Sequence, residues 1–319
     1  MLACVITDGR KESPTAGKGG GAFEARVAQS GPHWASGTRE SGRGSTTAAF
    51  ADKFGSPLLP MCEVTLTTQA ATTPTVTPSS LVADWREMAE QTPNRQNLRY
   101  VNNQSDRFVA TFQTALPYIT SSSRVLSVGA GAAYVEASLA KATGCQVTVI
   151  DFPQAIEAHR GHYDSLGFNT IGANLAEDDL SVRPERFDVV LHSEVIEHVP
   201  VAPSIQLRAF RPLIAPGGRL FVTTPNAGGL RNIVKVILSK PLLLTPEETF
   251  SPVSYETEHI HRREYMPIEI EHAMRVNDIE PEGRRYCWYG RERRIVKASG
   301  FVPRFRDCMV IYGVAGAGS

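Results

Sequence analysis

The chain has no surplus of either charge. Lys and Arg total 33 and so do Asp and Glu, so no whole-molecule field draws it onto nucleic acid or an anionic membrane. A small or neutral substrate is the default. Cysteine is scarce: Cys4, Cys62, Cys145, Cys287 and Cys308 are odd in number and form no CxxC pair. That pattern excludes a zinc ribbon or a dithiol motif and points to reduced thiols in a cytoplasmic protein. Long apolar runs are also missing. Leu230 to Leu244 is broken by Arg231, Lys235, Lys240 and Pro241, short of the roughly 20 apolar residues of a membrane span. The apolar start, Met1 to Ile6, is stopped by Asp8, Arg10, Lys11 and Glu12 before it can form a signal core, so neither a span nor export is expected. A phosphate loop is absent too: around Ala16-Gly17-Lys18 the required earlier Gly is Glu12, and Gly19 stands in place of Ser or Thr.

From Met1 to about Ser80 the chain is rich in Gly, Ser, Thr, Ala and Pro and shows no apolar periodicity. Such a stretch cannot offset its ordering entropy, so residues 1–80 are expected to be a disordered extension, and Met61 offers an alternative start. Two amphipathic stretches follow within 81–120, Val82 to Glu90 and Ser105 to Tyr118. The second spaces Phe108, Val109, Phe112, Ala115 and Leu116 as a helix does. Both are expected to cap a sheet. From Arg124 the texture becomes short apolar runs alternating with helical patterns. Val125 to Val128, Val147 to Ile150, Phe187 to Leu191 and Leu220 to Thr223 read as buried strands. That alternation implies an α/β fold with a mostly parallel sheet covered on both faces.

The first strand runs into Gly129-Ala130-Gly131 and then into a helical stretch from Tyr134 to Ala142. Glycines let the turn tighten and the backbone approach a ligand, and the free N–H groups at the helix start can hold an anionic group. An ordinary tight turn would look the same. The second strand ends in Asp151, 22 residues after Gly129, where a nucleoside-binding sheet places a carboxylate for the ribose hydroxyls. A helix cap before Pro153 is the alternative. The dinucleotide fingerprint needs a third Gly where Tyr134 stands, which disfavours a nicotinamide oxidoreductase.

The segment Phe187-Asp188-Val189-Val190-Leu191-His192-Ser193-Glu194-Val195-Ile196-Glu197-His198-Val199 resembles the fourth-strand region of class I S-adenosylmethionine-dependent methyltransferases. Leu213 to Asn226, with Pro216-Gly217-Gly218, is similar to that family's turn and fifth strand. His261-Arg262-Arg263-Glu264-Tyr265-Met266-Pro267-Ile268-Glu269 and Ala298-Ser299-Gly300-Phe301 resemble later segments of the ubiquinone-biosynthesis O-methyltransferases and of polysaccharide and natural-product methyltransferases. The resemblance implies a Rossmann-like, doubly wound, seven-stranded sheet over 121–319, with an inserted segment at about 227–290 and the extra residues placed near Asn277 to Tyr289. It departs from the family at Ser127, where Asp is usual, at Ala133, where a third Gly is usual, and at Asn174, where Asp is usual.

The same resemblance implies S-adenosyl-L-methionine as cofactor. It assigns Gly129, Ala130 and Gly131 to the methionine moiety, Asp151 to the ribose, Phe152 to the adenine face, Asn174 and Leu175 to the adenine edge, and Ser193 and Glu194 to the reacting end. Methyl transfer from a sulfonium is an in-line displacement, so positioning dominates and a base matters only for a protonated acceptor. His198 is the expected base for a hydroxyl, together with Glu194 as catalytic residue. An imidazole that orders the Pro200 turn is the plainer reading of His198. His192 reads as core, and His259 and His261 as secondary candidates. Glu194, Glu197 and His198 share a face at helical spacing and could hold a divalent ion, as a similar Glu-x-x-Glu-His does in related families, but no metal is assigned. Leu230 to Leu244 could lid the pocket, touch a membrane surface peripherally or simply cover the sheet. The arginines of 284–294 are partly balanced by Glu280, Glu282 and Glu292, so a nucleic-acid partner is not expected. A non-catalytic partner protein with a decayed donor site is the other alternative.

Overall fold

The computed structural model describes residues 76–91, 96–174, 177–243, 261–288 and 302–317. The expected extension up to residue 75 lies outside them, as do Leu175, His259, Ala298 to Phe301 and the arginines 291, 293 and 294. Helix α1 spans Pro78–Glu90 and so begins inside the stretch expected to be disordered. Its start is a reciprocal cap. The Thr77 hydroxyl accepts from the Ser80 amide at 3.1 Å and the Ser80 hydroxyl accepts from the Thr77 amide at 3.0 Å, with Pro78 in the first turn. Thr-Pro-Ser-Ser reads as low complexity by composition but works as a helix start by position.

Helix α2 spans Gln96–Ala115, nine residues longer at its start than the expected Ser105. The sheet is then built from β1 (Arg124–Val128), β2 (Gln146–Asp151), β3 (Asn169–Gly172), β4 (Phe187–Ser193), β5 (Ile214–Pro225), β6 (Ile279–Cys287) and β7 (Cys308–Ala315). The helices between them are α3 (Tyr134–Thr143), α4 (Pro153–Ser165), α5 (Pro203–Phe210), α6 (Leu230–Ile237) and α7 (Pro267–Arg275). Strand order is β3-β2-β1-β4-β5-β7-β6, parallel except that β7 runs antiparallel to both of its neighbours.

Alternation along the strands splits the core between the two faces, as a sheet covered on both sides requires. Val125, Val189, Leu191, Phe221 and Val310 join Trp85, Phe108, Phe112 and Leu139 from α1, α2 and α3. Leu126, Val128, Val190, Leu220, Val222 and Ile311 join Leu207, Phe210, Ile270 and Met274 from α5 and α7. Trp85 fastens the lead-in helices to the first, its indole N–H lying 2.8 Å from both the Tyr134 carbonyl and the Ser138 hydroxyl.

The residues read as an insertion around Asn277 form β6 itself. This edge strand buries Ile279 and Cys287 but turns most positions between them to solvent, so its pattern is charged rather than apolar. Arg219 grips Glu282 through two hydrogen bonds of 2.9 and 3.1 Å, Arg284 meets Glu271 at 3.2 Å, and Arg285 donates to Gln113 at 2.7 Å. The described part of the Arg-rich stretch is thus a self-paired surface. No described helix is long and apolar enough to cross a membrane.

Candidate active site

The strand ends set the site. Gly129 follows β1 with φ +66°, and a Cβ there would lie 2.6 Å from the Val195 side chain, so only glycine fits. Gly131 (φ +55°) and Ala133 (φ +51°) continue the left-handed turn into α3. Alanine at 133 adopts this conformation without the glycine usual in the related enzymes, at a modest backbone cost. The loop is held from α4, where the Tyr163 hydroxyl donates to the Gly131 carbonyl at 2.7 Å.

Beside the loop lies a cavity lined by Gly129, Ala130, Ser193 and Glu194, four of the residues expected at the donor, and by Tyr100, Arg107, Thr111, Tyr134 and Glu136, which were not expected. Arg107 is buried on α2. Its Nε donates to Gln104 Oε1 at 3.1 Å, its Nη2 to the Tyr100 hydroxyl at 3.0 Å, and its Nη1 lies 3.9 Å from Glu194 Oε1. A signal for it was present: Gln104, Arg107 and Thr111 are all buried and form a polar stripe at helical spacing beside Phe108 and Phe112. Glu136, on the first turn of α3, accepts from the Ser127 hydroxyl at 2.6 Å, and burial pushes its carboxyl above the usual range.

Asp151, Phe152 and Asn174 sit at the ends of β2 and β3, next along the sheet, and do not line this cavity. Asp151 is buried and its Oδ1 accepts from the adjacent Phe152 amide at 2.8 Å; it does not cap α4, whose N-cap residue is Phe152 and which has no side-chain cap hydrogen bond. The Asn174 backbone carbonyl accepts N–H bonds from Glu177 and Asp178 at 3.1 and 2.8 Å.

After β4 the chain turns sharply through Glu194, which has φ +55°. Glu194 Oε1 also lies 3.8 Å from the Cys308 thiol. Glu197 is fully buried. Its Oε2 accepts from the Thr224 hydroxyl at 3.0 Å, its Oε1 has no hydrogen-bond partner, and burial, reinforced by the nearby Glu194, holds its carboxyl well above the ordinary range. His198 Nε2 is 3.9 Å from Glu197 Oε1, and its ring meets His261 edge to face at 4.7 Å. His261 arrives from 63 residues away because the Arg262 amide donates to the Glu197 carbonyl at 2.8 Å and Arg262 Nε to the His198 carbonyl at 3.1 Å. One ligand atom each of Glu197, His198 and His261 lies within 4.8 Å of the others, a set suited to a divalent cation; Glu194, the third member of the expected face, is not in it. His192 lies elsewhere, sealed in the core against Phe210 at 4.9 Å, where burial lowers its pKa to about 3.

Strand order, a glycine turn after β1 and an acidic residue ending β2 define a Rossmann-like nucleoside-binding domain. A methyltransferase-domain family matches residues 99–301. The ubiquinone biosynthesis O-methyltransferase of Aeromonas salmonicida is 31% identical over 150 residues, covering 46% of this chain and 58% of that one. The enzyme of the same name from Xanthomonas euvesicatoria is 38% identical over 105 residues, 32% of this chain and 43% of the other. The chain spans about half the length of these curated relatives. Among solved structures, the magnesium protoporphyrin IX methyltransferase of Synechocystis PCC 6803 with bound SAH is 13% identical, with a TM-score of 0.47 over 75% of this chain and 96% of that one. The chain belongs to the methyltransferase-domain family, in its class I, S-adenosylmethionine-dependent form.

Proposed function

We propose that this protein transfers the methyl group of S-adenosylmethionine to a hydroxyl oxygen of a small acceptor. The observation that carries the oxygen reading is the His198–His261 pair beside the buried Glu197, one turn past the strand that ends at the donor cavity. The O-methyltransferase names of the relatives support it. In the reaction the acceptor oxygen attacks the sulfonium methyl in line, the S–CH3 bond breaks to leave S-adenosylhomocysteine, and the hydroxyl proton passes to His198. Gly129, Ala130 and Gly131 hold the methionine moiety, Asp151 the ribose, Phe152, Asn174 and Leu175 the adenine, and Ser193 and Glu194 the reacting end. Tyr134 fills the position of a third glycine and packs against Phe108 at 5.7 Å, which weighs against a dinucleotide.

A second reading is favoured by the buried Glu197 Oε1, which has no hydrogen-bond partner. Glu197, His198 and His261 would hold a divalent cation, which when bound acidifies an acceptor hydroxyl. The test is S-adenosylhomocysteine release with phenolic and alcoholic acceptors. With His198 as base, His198→Ala lowers turnover by about 10² to 10⁴ at unchanged donor affinity, and chelator has no effect on the wild type. With a cation, chelator inactivates the wild type and Glu197→Gln behaves like His198→Ala. Full, chelator-insensitive turnover by a folded His198→Ala protein overturns both.

A further inference from the structure

We infer that Glu136 is the carboxylate that receives the α-ammonium group of the donor's methionine moiety, with Ser127 as the group that orients it. The inference rests on the S-adenosylmethionine reading above and assigns a residue that the sequence motifs do not.

A methionine head is a zwitterion, and a cavity that excludes water has to meet each of its charges with an opposite one. Three charged side chains line this cavity: Arg107, Glu136 and Glu194. Arg107 is the cation and suits the α-carboxylate. Of the two carboxylates, Glu194 already lies 3.9 Å from Arg107, with the same oxygen 3.8 Å from the Cys308 thiol, and is the one assigned above to the reacting end. Glu136 stands instead on the first turn of α3, directly after the glycine loop assigned to the methionine moiety. Its hydrogen bond from Ser127 comes from the strand beneath the loop and fixes the carboxyl group from behind.

The position of Ser127 strengthens the case. Ser127 is fully buried on β1 and its hydroxyl donates to Glu136 at 2.6 Å. Here the strand supplies only a hydroxyl, and the carboxylate comes from the facing helix turn. Burial raises the Glu136 carboxyl against the opposing pull of the Ser127 hydroxyl and the Arg107 guanidinium, and a ligand ammonium beside it would favour the carboxylate form further.

Calorimetry with two nucleosides tests the assignment. S-adenosylhomocysteine carries the amino-acid head, whereas 5′-methylthioadenosine lacks it. Glu136→Gln, nearly isosteric, is expected to weaken S-adenosylhomocysteine by about ten- to a hundredfold and to leave 5′-methylthioadenosine unchanged. Moving the carboxylate to the strand in Ser127→Asp/Glu136→Ser, which keeps the hydroxyl–carboxylate pair with its ends exchanged, should restore much of the loss. Should Glu136→Gln fail to fold, Ser127→Ala, which keeps the carboxyl and removes its hydrogen bond, is expected to show the same selectivity in smaller measure. Equal weakening of both nucleosides, or of neither, overturns the role of Glu136 and leaves the donor reading standing. A wild type that binds neither nucleoside overturns the donor reading and this inference with it.

Discussion

Single residues in this chain take their roles from surroundings that differ by a few ångströms. His192 and His198 lie six positions apart, yet one is sealed under Phe210 and the other stands beside Glu197 and His261. For His192 the consequence is a pH dependence of stability. Its folded pKa is depressed to about 3 from 6.5, so the unfolded chain binds the extra proton. The contribution is fully present above pH 6.5 and is lost as pH falls toward 3, with a slope of about 1.4 kcal/mol per pH unit at most. Denaturant melts of wild type and His192→Leu between these limits should show a shallower acid slope in the variant. Parallel slopes would mean the imidazole is hydrated in the native state. Ser127 makes a related point: a departure from its family's Asp reads alone as decay of a donor site, but beside Glu136 it reads as a changed arrangement.

At the scale of elements, sequence patterns located the strands well and the helix starts less well. The expected Val125 to Val128, Val147 to Ile150, Phe187 to Leu191 and Leu220 to Thr223 all lie inside observed strands, because burial on both faces makes them predominantly apolar. Strand β6 escaped because an edge strand carries charges. Helix α1 was entered late because its cap is made of residues that also typify disordered chains. A truncation series follows from that cap. A chain beginning at Val76 should melt like the full protein, whereas one beginning at Leu81 loses the Thr77–Ser80 box and should be less stable by roughly 0.5–2 kcal/mol. Equal melting of the two truncations would show the cap to be inert, and a large loss in the longer one would show that earlier residues pack.

For the whole molecule, the balanced net charge conceals a local asymmetry. At the end of α6 and just beyond it Val236, Ile237, Leu238, Leu242 and Leu243 are exposed, with Lys235 and Lys240 among them and Arg231 in the first turn of the helix. An apolar patch with basic neighbours is the surface an anionic bilayer attracts, and we propose peripheral contact through 230–244 as the way a lipid-like acceptor is collected. Co-sedimentation with vesicles containing phosphatidylglycerol should retain the wild type, and Ile237→Asp should release it without changing its melting temperature. Equal retention of both, or no retention of either, removes the patch from that role.

What the sequence determined by itself was whatever is local: apolar runs that can only be buried strands, a glycine turn at the end of the first, and an acid at the end of the second. Each follows from neighbours within a few residues, where periodicity and backbone sterics act. The tertiary structure alone decided which distant groups meet. It brought Arg107 from the lead-in helix to Glu194, laid Glu136 against Ser127, and delivered His261 to His198 across 63 positions. Those pairings depend on strand order and on how helices cross the sheet, and the hydrogen bonds of Arg262 that hold the last of them join residues with no mark in sequence spacing.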